Sequence, residues 1–212
     1  MKKLLLTFLL AIAAMTTFSQ TINYGIKGGF NLSDQSTGSF PYIIKHQKAP
    51  GFNIGGIASA DFGNFTLQPA LSLTTKGVKY PDQSHVLFAG TPNPITQTMP
   101  AATVTAYDIE LSANAFYNIH VAPGAVIQLG GGPSFGYNIS ARANVDNPAP
   151  NTPSKFALGY NNPELGVNFI AGVKLKKKLL IDIGYNLGLS NLVDNGTIKN
   201  RVMNISVGYL FW

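Results

Sequence analysis

Cysteine is absent from all 212 residues. That removes disulfides, iron–sulfur ligation and thiol catalysis together. An exported domain without cross-links must take its stability from hydrogen bonding and packing. Charge is scarce as well: 11% of residues are Asp, Glu, Lys or Arg, against ~25% in soluble domains. Beyond the N-terminal segment, no apolar run approaches the ~20 residues that a membrane-spanning helix needs. No basic stripe interleaves with aromatic residues, so nucleic-acid binding finds no support. Helical periodicity is missing too; apolar residues recur at every second position instead.

Glycine and aromatic residues are what the chain has in quantity. It carries 22 Gly and 11% Phe, Trp and Tyr, and mean hydropathy is +0.13 despite abundant Asn, Ser and Thr. This composition suits a barrel with a lipid-facing skin and a polar interior. A soluble exported β-sandwich is compatible with composition alone.

The N-terminus reads as an export signal. Lys2 and Lys3 precede an apolar run from Leu4 to Ala14, and small residues lead to Ser19. Charged, apolar and small segments in that order make a signal peptide, expected to span residues 1–19, with a barrel domain over 20–212. No Cys follows the run, which argues against a lipoprotein anchor. Lys2 and Lys3 leave with the signal, so the mature chain carries 13 basic and 9 acidic residues, a net +4.

Period-2 alternation predicts eight strands: Ile22–Asn31, Gly51–Phe62, Phe65–Lys76, Thr103–Ile119, Ala125–Ser140, Pro163–Leu175, Lys178–Ser190 and Lys199–Trp212. In the fourth, Tyr107, Ile109, Leu111, Ala113, Ala115 and Tyr117 oppose Asp108, Glu110, Ser112, Asn114 and Asn118. In the last, Met203, Ile205, Val207, Tyr209 and Phe211 oppose Asn204, Ser206 and Gly208. Gly63-Asn64, Asn118–Gly124 and Lys176-Lys177 are short connections. Leu32–Pro50, Gly77–Ala102 and Ala141–Asn162 are long ones, and Asn191–Ile198 is a shorter fourth. The fold expected is all-β: an eight-stranded antiparallel up-and-down transmembrane β-barrel with short periplasmic turns and long external loops. An eight-stranded lumen holds little beyond its own side chains. Gly, Ser and Asn fit that space better than Leu, Ile and Tyr, so the apolar face points outward. Pro69 and Pro133 lie inside strands, where a missing donor predicts a bulge at each.

The strands resemble the PorT-type outer-membrane β-barrel family of Gram-negative bacteria. The blocks carrying the resemblance are NYGIKGGFNLS (Asn23–Ser33), FTLQPALSLTTKGVKY (Phe65–Tyr80), GGPSFGYNIS (Gly131–Ser140), ELGVNFIAGVKL (Glu164–Leu175), IDIGYNLGLSNL (Ile181–Leu192) and NISVGYLF (Asn204–Phe211). GYNLGLSNL is the most specific. The family often has Glu after Gln-Pro, where this chain has Ala70, and commonly ends at the aromatic matching Phe211, where this chain adds Trp212. The resemblance implies location and architecture and little chemistry, with the last strand as the one that barrel-assembly machinery receives.

Eight charged residues fall on polar strand faces: Lys27, Asp61, Lys76, Asp108, Glu110, Glu164, Lys174 and Asp182. They read as a proton or ion path, or as a paired plug filling the barrel; buried charges need partners and the signs are mixed, which favours the plug. His46, His85 and His120 are far apart and lack metal-ligand spacing. Ser84 and His85 lie near Asp82, but sequence neighbours do not make a triad. No catalytic, cofactor-binding or metal residue is assigned, no cofactor is expected, and the chain does not read as an enzyme. The loop 77–102 sets Val86, Leu87 and Phe88 among prolines, as a binding surface or as a tip folded over the mouth. Arg142 and Lys155 flank the loop 141–162, where phosphates of lipopolysaccharide would meet them. The partners expected are outer-membrane lipid and lipopolysaccharide, the assembly machinery, and a protein at the external loops. The role expected is structural or interactive. A component of a secretion or envelope-assembly machine, a lipid-modifying barrel and a soluble barrel binding an apolar ligand are the competing readings.

Overall fold

The computed structural model describes residues 22–37, 45–87, 95–148, 150–193 and 197–211. The expected signal peptide (1–19) and Trp212 lie outside the described residues. Eleven strands are present in this part of the chain: β1 (Ile22–Thr37), β2 (Gln47–Phe62), β3 (Phe65–Tyr80), β4 (Gln83–Leu87), β5 (Ile95–Met99), β6 (Ala102–Ala122), β7 (Ala125–Val145), β8 (Lys155–Leu158), β9 (Glu164–Leu175), β10 (Leu179–Gly188) and β11 (Ile198–Leu210).

Eight of them form a closed antiparallel ring in the order β6-β3-β2-β1-β11-β10-β9-β7, with β7 pairing back to β6. The first and last strands join in register from Gly25↔Leu210 to Thr37↔Ile198, and the Phe211 amide donates to the Tyr24 carbonyl at 2.7 Å. Closure leaves no edge in the wall. β4 and β5 make a separate two-stranded hairpin, and β8 pairs with the outer end of β7.

Alternation resolves as expected, with the apolar face outward. Phe30, 82% exposed, Ile205 and Tyr137 stand on the outside, while Asn31, Ser59, Gln128 and Asn186 are buried in the lumen. On β6 the outward apolar row runs from Tyr107 to Val121, with Tyr107 and Tyr117 ten residues apart. Ten residues at ~3.3 Å each, tilted by ~40°, cover ~25 Å, the height of an outer-membrane apolar band. The two tyrosines mark its rims.

The eight ring strands match the predicted ones, but most reach further outward. β1 runs on to Thr37, β3 to Tyr80 and β7 to Val145, and β2 starts at Gln47. The expected loops 32–50, 77–102 and 141–162 are therefore partly wall. Polar runs such as Ser33-Asp34-Gln35 carry turn composition, yet Ser33 and Gln35 are buried lumen residues. Ser33 Oγ donates to the Ala49 carbonyl at 3.2 Å and accepts the Gly77 amide at 2.7 Å. Inside a barrel, polarity is the inward half of the alternation.

The two prolines produce no bulge. Pro69 pairs with Ala113 on β6, and pairing to β2 lapses opposite Ala58 and Ser59 with the register intact on both sides. Pro133 pairs with Val167 on β9, with the same lapse towards β6. Each proline turns its donorless edge to one neighbour, and the ladder skips it. The register shifts fall elsewhere, between Lys48 and Asn53, between Tyr107 and Asp108, and between His120 and Ala122.

The inner turns are tight. Gly63 and Gly124 take positive φ, and so do Lys176 (φ 47°) and Lys177 (φ 61°). The Lys178 amide closes that last turn on the Leu175 carbonyl at 2.9 Å. A Lys-Lys pair thus occupies a hairpin geometry that favours Asn-Gly.

Candidate functional site

All eight charged residues predicted for the lumen are there, and they pair with one another. At the inner end, Lys174 Nζ meets both Asp61 oxygens at 2.8 and 3.0 Å. Thr66 donates to the same carboxylate at 2.5 Å. A chain of amides continues from it: Asn118 donates to Thr66 at 2.8 Å and Gln128 donates to Asn118 at 2.8 Å. A second ion pair joins Lys27 to Asp182. It needs glycine opposite, because a Cβ at Gly172 would fall on Asp182 Oδ1.

The third cluster lies near the outer end. Lys76, 3% exposed, stands 3.2 Å from Asp108, 3.2 Å from Glu110 and 3.1 Å from Glu164. Asn138 donates to Asp108 at 2.7 Å and Asn200 donates to Glu164 at 3.0 Å. Among the described residues Glu164 Oε1 has no hydrogen-bond partner, and Asp108 Oδ2 meets Lys76 off the hydrogen-bond direction. Three lysines face five carboxylates in the lumen as a whole, and the excess of acid sits entirely at Lys76.

Between these clusters runs an amide layer. Asn186 donates to Ser134 at 2.8 Å and to Asn168 at 2.7 Å, and Asn168 donates to Asn114 at 3.2 Å. A cavity of ≈ 90 Å³ lies among them, with Lys27, Asn31, Gln68, Lys76 and Glu110 in its lining. Two apolar patches also stand inside. Ile57, Leu180 and Leu210 pack with Ala70, so the position where the resembled family often has Glu belongs here to an apolar patch. Val78, Val104 and Ala143 pack with Tyr80, Leu158 and Tyr160 at the outer mouth. Gln35 donates to the Tyr160 hydroxyl at 3.0 Å. Burial pushes the Tyr160 phenol up to about 12, against the pull of that hydrogen bond.

The groups considered for catalysis have other partners where their side chains are described. Ser84 Oγ is 3.2 Å from Thr98 Oγ1, across the β4–β5 hairpin, and Asp82 accepts the Ala101 amide at 2.5 Å. The His85 side chain is outside the described residues. His46 lies 3.2 Å from Asp34, and His120 is exposed on the inner end of β6 rather than in a turn. Among the described residues no group of three or more His, Cys, Asp or Glu can hold a metal ion. The lumen partners Gln35, Asn138, Tyr160 and Asn200 were not singled out from sequence. For Asn138 and Asn200, strand parity was the available signal; Gln35 and Tyr160 fall in segments that read as loop.

The family model of the outer membrane protein β-barrel domain matches residues 18–194. No curated protein matches the chain. Among solved structures the chain is similar to the attachment invasion locus protein Ail of Yersinia pestis, at 16% identity over 89% of this chain and 98% of that one, with a TM-score of 0.45. Neisserial surface protein A shares 15% identity over 88% and 95%, with a TM-score of 0.47. OprG of Pseudomonas aeruginosa shares 12% over 91% and 97%, with a TM-score of 0.43. The closed ring, the outward apolar band and a family match over most of the chain lead to one conclusion: this chain belongs to the outer membrane protein β-barrel domain family, and its place is the cell outer membrane.

Proposed function

We propose that the barrel is a closed anchor that presents its external segments for surface interaction, and that it neither conducts nor catalyses. The observation that carries this is the filled lumen: its charges are spent on one another, as a paired plug requires. Among the described residues, the β4–β5 hairpin stands apart from the ring beyond the outer end of β3. Export by a signal peptide over residues 1–19, receipt of β11 by barrel-assembly machinery, and contact with lipopolysaccharide belong to the same proposal. The PorT-like residue blocks support membership of that narrower group. A protein partner at the external segments would make the barrel a surface module or a part of an envelope machine.

Two measurements test this. In planar bilayers the refolded barrel is expected to give no stable conductance; a steady open channel would contradict the anchor. A chain lacking 83–99 is expected to keep its shift in gel mobility on boiling while losing a partner cross-linked in outer membranes. Retention of every cross-link would remove the hairpin from the role.

A further inference from the structure

The outer rim carries a basic patch on its outward side. Lys79, on β3, alternates with buried Val78, and Arg142, on β7, stands between buried Ala141 and Ala143. The register joins them. Lys79 pairs with Thr103, Thr103 with Asn144 and Asn144 with Lys155 of β8, while Arg142 pairs with Thr105 and Ala157. All share the outward parity of Tyr107. Three cations thus stand across four neighbouring strands with Thr103, Thr105 and Asn144 between them. Adjacent strands lie ~4.8 Å apart, so Lys79 and Lys155 are ~14 Å apart with Arg142 in the middle. None of the three makes an ion pair among the described residues. The carboxylates that follow on these strands, Asp82 and Asp146, lie past the ladder ends, and Asp82 is taken by the Ala101 amide.

Directly inward along the same strands the surface becomes apolar: Tyr107, Ile109 and Leu111 on β6, Tyr137 and Phe135 on β7, all exposed. At ~3.3 Å per residue and a ~40° tilt, Thr105 and Thr103, which the register joins to Arg142 and to Lys79 and Lys155, lie ~5 and ~10 Å beyond Tyr107 along the barrel axis. That is head-group depth. A free anion would need only the cations. The stacking of cations over an aromatic and aliphatic wall fits a molecule with phosphates at one end and acyl chains at the other.

Building on the lipopolysaccharide contact and outward-facing rim of the proposed function, we propose that Lys79, Arg142 and Lys155 form a binding site for an outer-leaflet lipid whose head group carries more than one phosphate. Arg supplies bidentate contacts and the two Lys supply mobile point charges. Thr103, Thr105 and Asn144 add neutral donors beneath them.

The test uses the folded barrel in zwitterionic-detergent micelles, titrated with diphosphoryl lipid A, monophosphoryl lipid A and inorganic phosphate. Diphosphoryl lipid A is expected to bind most tightly and inorganic phosphate far more weakly. The variant Lys79→Gln/Arg142→Gln/Lys155→Gln should weaken lipid A binding roughly a hundredfold, at about fivefold per cation near a phosphate surface. Lys79→Arg/Arg142→Lys/Lys155→Arg should retain most of it. The control Lys176→Gln/Lys177→Gln/Lys178→Gln removes equal charge at the opposite rim and should change nothing. Unaltered binding in the first variant, an equal loss in the control, or inorganic phosphate competing as well as lipid would overturn the proposal. The shift on boiling reports folding in every variant. Its loss in the parent chain would remove the outer-membrane anchor itself; a folded barrel with unselective lipid binding would remove the lipid site alone.

Discussion

Lys76 shows at the level of one residue how this barrel tolerates charge. Its ammonium occupies the place among three carboxylates where a cation would otherwise have to sit. Breaking a buried pair costs more than the pair itself contributes, because a desolvated charge is left behind. Lys76→Met should therefore destabilise the barrel by about 3–5 kcal/mol, read as a lowered midpoint for the mobility shift on boiling. Adding Glu110→Gln and Glu164→Gln to that variant should recover part of the loss. A Lys76→Met barrel as stable as the parent would show that the cluster is not held by its ammonium. Tyr160 gives a second reading at this scale. Burial raises its phenol from the ordinary 10.0 to about 12, so the folded state favours the neutral form. The stability this contributes is present below pH 10 and is lost as pH rises through about 12. In the intact barrel, Tyr160→Phe should delete a late step from the phenolate absorbance titration. An unchanged late step would place the buried phenol elsewhere.

Strands were legible because lipid imposes a strict rule on one face. Isoleucine, leucine and aromatic residues at every second position mark that face wherever it lies in the band, and the core of each ring strand followed from it. Strand ends did not. Beyond the band both faces turn polar, and Ser33 and Gln35 look like loop residues until the register places them in the lumen. Leu180 and Leu210 ran the other way: apolar residues on the polar parity, which become sense only as a small inner core with Ile57. The charged residues of the lumen were readable one by one. Which charge meets which depends on pairs as distant in sequence as Lys76 and Glu164, Lys174 and Asp61, or Lys27 and Asp182, and parity carries no such information. The inner turns make an element-scale prediction. Lys176 and Lys177 both hold positive φ, at about 1–2 kcal/mol per non-glycine residue. Lys176→Asn with Lys177→Gly should raise the midpoint for the shift on boiling by relieving that cost, and a lowered midpoint would show that the lysine side chains contribute more than their backbone strain takes away.

At the scale of the whole molecule, closure of β1 on β11 turns one polar face inward and one apolar face outward, and everything else follows from that inversion. The polar side fills its own lumen with paired charges and amides. The apolar side belongs to lipid, with a basic patch above it. What remains for interaction is the outer rim and the segments it carries, which rests on the outer rim facing the exterior of the cell. Because the chain has no cysteine, one introduced thiol reports one position. Ser84→Cys on the β4 strand and Lys177→Cys on the inner turn should be treated on intact cells with a membrane-impermeant maleimide. The account predicts labelling of Ser84→Cys on whole cells and of Lys177→Cys only after the outer membrane is permeabilised. Labelling of Lys177→Cys on intact cells, with Ser84→Cys protected, would contradict it.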